Sequence, residues 1–493
     1  MVRIATRRSA LEDVTADLMA IGLFENEEPP APLMEVAGVA VSSGDFSGKR
    51  GETTLLYAGD SISSPRLLLL GLGDRGAFTA ERLRRAAATV ARRARSAKLE
   101  SAAFALPLLE QIDSRTAAQA AAEGAALGLY RFTRYKTGAG NADVRELETF
   151  DLILHDGADE SEAARGAEIG AAMAAGANLA RDLANEPSNT ATPEYLAERA
   201  REIAARHGMQ VEVLDRAGIE DVELVGLATV GRSAANEPRF IVLEHRGGGD
   251  EAPVVLVGKA VTFDSGGISI KPSAGMEDMK FDMSGGAAVL GAMETAGTLG
   301  LPINVVALVP ATENLPGGSA FKPGDVLRMR SGKTVEILST DAEGRLILAD
   351  ALAYARRYEP AAVIDCATLT GACIVALGHH ASGLMGNDEA LISEVQAAGE
   401  RAGERAWPLP LFEEYTKQIK GDTADIKNTG GRYGGALTAG AFLKEFADYP
   451  WAHLDVAGTA FGKKGNSYTP KGATGAPARL LVEFLNSRIG GDA

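Results

Sequence analysis

Short apolar runs alternate with longer stretches rich in alanine, arginine and leucine along most of this chain. That rhythm restricts the fold more than any other feature. In the first third, apolar runs fall at Met34–Val41, Arg66–Gly73, Ser101–Pro107 and Phe150–His155. Helical patterns lie between them, at Thr79–Ala97 and Leu109–Tyr130. Strand-like runs separated by helices predict an α/β fold. A chain of 493 residues is too long for one hydrophobic core, so two domains are expected. Residues 158–186 carry a long Ala-rich helical pattern. Asn185-Glu186-Pro187 ends it, because the residue before a proline disfavours helix. The chain thus divides into a smaller N-terminal α/β domain over residues 1–157, a linker helix over 158–186 and a larger α/β domain over 187–493.

In the larger domain, strands are expected at Gln210–Asp215, Arg239–His245, Val254–Thr262, Ile303–Val309, Thr334–Leu338, Ala361–Thr368 and Ala452–Val456. Helices are expected at Pro193–His207, Gly285–Gly297, Glu343–Tyr358 and Thr438–Phe446. This pattern predicts a mixed central sheet covered by helices. Ligands of such sheets bind beyond the carboxyl ends of the strands, and the polar clusters of this domain fall there. Two glycine-rich turns carry no such signal. Gly71-Leu72-Gly73 lacks the third glycine of a dinucleotide loop. The Gly430–Gly435 segment lacks the lysine and hydroxyl residue of a phosphate loop, and reads as a mobile or tightly turned loop near a site.

Charge and cysteine content narrow the partners. A formal net charge of -16 repels phosphate backbones, so nucleic-acid binding is disfavoured and only a local basic patch would admit it. The two cysteines, Cys366 and Cys373, form neither a disulfide framework nor a CxxC pair. Cys366 reads as a small apolar residue of a core strand. No apolar run reaches the ~18 residues of a membrane span. The basic N-terminus lacks the apolar core of a secretory signal, so a cytoplasmic location is expected.

The densest chemistry lies in Val257–Gly286. There Lys259, Asp264, Lys271, Asp278, Lys280 and Asp282 are spread among glycines and serines after an apolar, strand-like start. A second cluster, Ser339–Leu346, places Asp341, Glu343 and Arg345 two residues apart between a strand and a helix. Taken alone, Asp341 and Glu343 would be acids at a helix N-terminus, and Asp264-Ser265-Gly266-Gly267 an ordinary turn. Together they are a candidate metal site. Hard divalent cations take oxygen ligands, and four carboxylates from Asp264, Asp282, Asp341 and Glu343 would balance two dications. Without cations they would repel one another. The six histidines form no HExxH or HxH pattern, which argues against a histidine-based zinc protease.

These blocks resemble the leucyl aminopeptidase family of dinuclear metallopeptidases. The resemblance is carried by Val257-Gly258-Lys259, Phe263–Gly267, Lys271-Pro272, Met279–Met283 and Thr340–Leu346. Further matches are Asn185-Glu186-Pro187, Lys322–Asp325, Thr368–Gly371, Asp425–Arg432 and Trp451–Gly458. It is strong over residues 175–493 and general in character before them. The resemblance implies an enzyme that hydrolyses N-terminal amino acids, leucine and other apolar residues first, from peptides. It implies two divalent ions per subunit, Mn²⁺ or Zn²⁺. Their ligands would be Lys259 as a neutral amine, Asp264 and Glu343 bridging, Asp282 and Asp341. A water bridging the ions would be the nucleophile. Lys271 would stabilise the tetrahedral intermediate, and Arg345 would hold a bicarbonate general base. Thr368, Leu369 and Gly371 would bind substrate, with Met279 and Ala457 lining an apolar pocket. It also implies a homo-hexamer, a dimer of trimers.

Two positions depart from the family pattern. Ala260 follows Lys259 where glycine is usual, and Ser339 opens the second block where asparagine is usual. Neither is a ligand, so the departures bear on local hydrogen bonding, metal preference or assembly. Two other readings compete: a binding or regulatory protein, and a different two-metal hydrolase such as a phosphoesterase. Phosphoesterase sites lean on histidine, which these blocks lack.

Overall fold

The computed structural model describes residues 2–109, 111–138 and 145–489. The chain forms two units, Met1–Ala175 with Lys464–Pro470 and Gly176–Lys463 with Lys471–Ala493. The expected linker pattern is a continuous helix, Glu160–Asn185.

The first unit is built on a six-stranded sheet in the order Arg3–Arg8, Thr149–Leu154, Ser101–Ala105, Leu18–Phe24, Arg66–Gly73, Thr53–Tyr57. Neighbours are parallel except at the last pair. The Arg66–Gly73 strand reads as an unbroken leucine run because both its faces are buried. Leu68 and Leu70 pack with the helices Ala80–Ser96 and Ser114–Gly128, while Leu67 and Leu69 belong to a second core on the other face. Thr79 caps the first helix by accepting from the Arg82 amide, and Asp113 caps the second by accepting from that of Thr116. Glu110, inside the helical stretch expected at Leu109–Tyr130, lies outside the described residues.

One expectation fails here. The apolar run Met34–Val41 is not a strand but the helix Met34–Ser42. Leu33 just before it and Ala37 and Ala40 within it are buried at intervals of four and three, which is a helical face and not an alternation. The central strand Leu18–Phe24 went unread, because its run of apolar residues shows no period at all.

The second unit holds a nine-stranded mixed sheet. Its path runs Ala406–Pro408, Ser382–Gly386, Trp451–Asp455, Ala362–Ala367, Val254–Gly258, Asn304–Asn314, Arg239–Arg246, Gln210–Leu214, with Ala260–Asp264 pairing Asn304–Asn314 off that path. Its central strands, Trp451–Asp455 through Asn304–Asn314, are mutually parallel, so their carboxyl ends share one edge. Val255, Val257, Val306, Leu308 and Val363 pack against Leu346–Leu352 of the helix Gly344–Ala355. The helix Ser284–Leu299 also lies against these strands.

Asp350, buried on the Gly344–Ala355 helix, accepts from the Leu227 amide at 3.0 Å through one oxygen. Its other oxygen is buried without a hydrogen-bond partner among the described residues, and burial pushes the carboxyl up to about 7. An acid whose folded value lies above its unfolded value of 3.8 binds more protons folded than unfolded, so it lowers stability as pH rises through that window. Asp350→Asn keeps the acceptor and removes the charge. Its melting temperature relative to the parent should therefore climb between pH 5 and pH 8, and a difference independent of pH would show that Asp350 does not titrate there.

Candidate metal centre

The run expected as one strand at Val254–Thr262 is two, Val254–Gly258 and Ala260–Asp264, and the break falls at Lys259. Before the break the chain lies between Ala362–Ala367 and Asn304–Asn314. After it the chain follows Asn304–Asn314 alone. The two paths part and leave a crevice beyond the carboxyl end of Ala362–Ala367. Main-chain bonds secure the break: the Lys259 amide donates to the Cys366 carbonyl at 3.1 Å, and the Lys259 carbonyl accepts from the Gly286 amide at 2.7 Å.

The crevice gathers every predicted ligand. The buried Lys259 Nζ lies 2.8 Å from Asp282 Oδ1 and 2.9 Å from Glu343 Oε1, and donates to the Thr368 carbonyl at 3.1 Å. A Cβ on Gly344 would come within 2.6 Å of the Lys259 Cε and Nζ, so a larger residue at the start of the neighbouring helix would displace the Lys259 ammonium. Lys271 Nζ lies 2.7 Å from Asp264 Oδ2 and also pairs with Asp341. Ligand oxygens of Asp264, Asp341 and Glu343 all lie within 4.8 Å of one another, close enough to hold one cation. Asp341 is the outermost, with 38% of its side chain exposed.

Electrostatics support a cation site. Burial raises the Asp282, Glu343 and Asp341 carboxyls, and neighbouring carboxylates add to it at each. Burial would lower the Lys259 ammonium, but Asp282, Glu343 and Asp264 outweigh it and raise the group. Lys271 is raised in the same way, against burial, by Asp264 and Glu343. Four carboxylates still face only two ammonium groups. Asp282 Oδ2 and Glu343 Oε2 are buried with no hydrogen-bond partner among the described residues. Unpaired buried carboxylate oxygens are costly, and divalent ions fit them.

Arg345 is buried at the start of the Gly344–Ala355 helix, and burial pushes its guanidinium down to about 10, which leaves it a cation at neutral pH. Its Nη1 donates to the Asn428 carbonyl at 2.8 Å, and its Nε is buried without a hydrogen-bond partner among the described residues. Thr368 joins the cluster through its hydroxyl, which donates to Asp282 Oδ1 at 2.7 Å. Leu369 and Thr370 follow in a turn gripped by Asp455, whose Oδ1 accepts from both amides and whose Oδ2 accepts from the Thr370 hydroxyl at 2.6 Å. Gly371 opens the helix that Thr370 caps. Ala457 is buried beyond the Trp451–Asp455 strand, and its amide also donates to Asp455. Met279 is half-buried in the 3₁₀ turn that leads to Asp282.

Three residues escaped the sequence reading. Asn314 Nδ2 donates to Asp264 Oδ1 at 2.8 Å and to the Thr340 carbonyl at 2.9 Å, so it ties the two ligand blocks together. Asp455 shapes the Thr368–Gly371 turn, and Asn428 grips the Asp341 loop. All three stand at strand ends or within the matched blocks, which is the signal that points to them.

Comparison with known proteins identifies the family. A family model described as the cytosol aminopeptidase family, catalytic domain, matches residues 178–482, and the N-terminal domain of that family matches residues 33–139. A probable cytosol aminopeptidase of Roseiflexus castenholzii is 50% identical over 95% of this chain and 96% of its own length. One from Geobacter sp. strain M21 is 48% identical over 97% and 98%. Among solved structures, a mutant of tomato leucine aminopeptidase superposes with a TM-score of 0.88 at 34% identity, over 98% of this chain and 96% of that one. The bottromycin maturation enzyme BotP in complex with Mn gives 0.86 at 36% identity, over 96% and 100%.

Replacing Asn314 by leucine would leave the Thr340 carbonyl without that donor inside the protein. The loss of such a bond costs ~1–3 kcal/mol. The metal-free Asn314→Leu protein should therefore melt several degrees lower than its parent, and an unchanged melt would show that the tie between the two blocks carries no stability.

Proposed function

The chain belongs to the cytosol aminopeptidase family, and from that premise we propose that it is a leucyl aminopeptidase with a dinuclear metal centre. The observation that carries the proposal is the pair of buried, unpartnered oxygens on Asp282 and Glu343. They stand in a cluster that holds two lysines of different burial, with Arg345 buried nearby.

Lys259, Asp264, Asp282, Asp341 and Glu343 would hold two divalent ions, Mn²⁺ or Zn²⁺. A BotP structure contains Mn, which supports the first. Such ions would supply Lewis acidity and a water of lowered pKa. The chain's own residues do the rest. Asp282, deep in the crevice, helps to hold the free amine of the substrate, which restricts cleavage to the first residue. Lys271 is held as a cation by Asp264 and Asp341 and is partly exposed, so it can meet charge developing on the scissile carbonyl oxygen. The unpaired Nε of buried Arg345 suits a small planar oxyanion, bicarbonate, as general base. Thr368, Leu369 and Gly371 seat the substrate main chain, and Met279 and Ala457 favour leucine and other apolar first residues.

Peptides are the proposed substrates, the assembly a hexamer built as a dimer of trimers, and the location the cytoplasm. We place the catalytic domain at residues 187–493, with 158–186 as linker and 1–157 as the N-terminal domain. No described helix is long and apolar enough to cross a membrane.

Hydrolysis of leucine p-nitroanilide should vanish on chelation and return with Mn²⁺ or Zn²⁺, and an aryl phosphate should remain intact. Absence of turnover with every metal would overturn the reading. Lys271→Ala should lower kcat by ~10²–10³-fold, the scale seen when an oxyanion donor is removed. Arg345→Lys, which keeps the charge but loses the planar fork, should fall well short of the parent rate. A sedimentation mass near the single-chain 51.3 kDa would rule out the hexamer.

A further inference from the structure

Asn428 has every hydrogen-bonding atom of its side chain engaged on one loop. It is buried, in the segment that follows the short strand Ile426–Lys427. Its Oδ1 accepts from the Leu338 amide at 2.9 Å and the Ser339 amide at 3.3 Å. Its Nδ2 donates to the Ser339 carbonyl at 2.6 Å and the Ala342 carbonyl at 3.4 Å. The same residue's main chain extends the grip. Its amide donates to the Glu336 carbonyl at 2.9 Å, and its carbonyl accepts from Arg345 Nη1 at 2.8 Å.

Asp341 lies between the gripped residues, two after Ser339 and one before Ala342. It is also the most exposed of the four carboxylates in the crevice and the one with least packing of its own. A side chain in that state is placed by its backbone. Only an amide of this length offers two acceptor positions and two donors to the same loop. An aspartate there would keep the acceptors but set a carboxylate against two carbonyls. We propose that Asn428 is a positioning residue for the metal centre, setting Asp341 through its side-chain amide and Arg345 through its main-chain carbonyl. The proposal rests on the dinuclear reading above and deepens it. It explains why a segment outside both ligand blocks should matter to the site.

The test uses the full-length protein and the variants Asn428→Ala and Asn428→Asp, stripped of metal and titrated with Mn²⁺ by calorimetry and by electron paramagnetic resonance. The parent should bind two equivalents. In both variants one equivalent should weaken by ~10–100-fold, the usual effect of losing a residue that orients a ligand, while the other stays as in the parent. Turnover of leucine p-nitroanilide should fall on the same scale, chiefly in kcat. The aspartate variant is the sharper arm, because it preserves volume. Parent-like Mn²⁺ affinity at both sites in Asn428→Asp would reduce Asn428 to packing and overturn the proposal. Should Asn428→Ala not fold, Asn428→Ser carries the same measurement. A parent that binds Mn²⁺ but turns over no anilide would sink the aminopeptidase reading and leave this one standing or falling on the titration.

Discussion

Four carboxylates converging on one buried crevice repel one another unless positive charge stands among them, and most of the second unit's organisation answers that constraint. Two lysines supply part of the charge. Lys259 reaches in from a strand break, and Lys271 from the loop after Asp264. They leave two carboxylate oxygens buried and unpaired. A cluster built only for stability would not retain such atoms, because a buried acceptor without a donor opposes folding. The crevice is therefore arranged for a guest with more charge than the protein itself provides.

The sheet makes room for that guest by a small departure from regularity. Had Val254–Asp264 continued as one strand between its two neighbours, its carboxyl end would have been flanked on both sides by backbone. Parting at Lys259 keeps the ladder to Asn304–Asn314 and abandons the one to Ala362–Ala367. The ends of these parallel strands then supply Asp264, Asn314, the Thr368–Gly371 turn and Asp455 along a single edge. Small residues tolerate the close approaches this requires. Gly344 leaves space for Lys259, and Gly266, at φ 86°, turns the loop where a Cβ would press on Asp341.

Charged residues of both signs set among glycines after an apolar run were legible in the sequence because that combination has few structural uses. Lys259, Asp264, Lys271 and Asp282 after an apolar run, followed by Asp341, Glu343 and Arg345, could be read without knowing any contact, and the structure brings them together, whereas Asp278 pairs with Lys463 and Lys280 donates to the Asn185 carbonyl. The main strands of the central sheet and the helices beside them were legible for the same reason of pattern, whereas Ser382–Gly386, Ala406–Pro408 and the helices Glu389–Ala402 and Ala478–Arg488 were not. What could not be read was of two kinds. Met34–Val41 is apolar but for Glu35, and Leu18–Phe24 holds no polar side chain, so the period of such short runs does not decide between helix and strand and tertiary packing does. Asn314, Asn428 and Asp455 are polar residues whose meaning lies chiefly in partners far along the chain, such as Thr340 for Asn314, Leu338 for Asn428 and Leu369 for Asp455. One amide looks like another until the loop it bonds is folded onto it.

Lys259 shows how sequence role and structural state can differ and still agree. The family resemblance asks it to be a neutral amine, yet the carboxylates around it hold it as an ammonium. The two are linked states of one group. Burial by itself favours the neutral amine, and only the unbalanced carboxylates reverse that preference. Dications held by these residues would offset the carboxylate field and return control to burial, which would favour the neutral amine at Lys259. Lys271 shares the same carboxylates but keeps part of its side chain in water. Its ammonium loses less by staying charged. On the reading proposed above, that difference in burial between two otherwise similar lysines would make Lys259 the ligand and leave Lys271 a cation beside it.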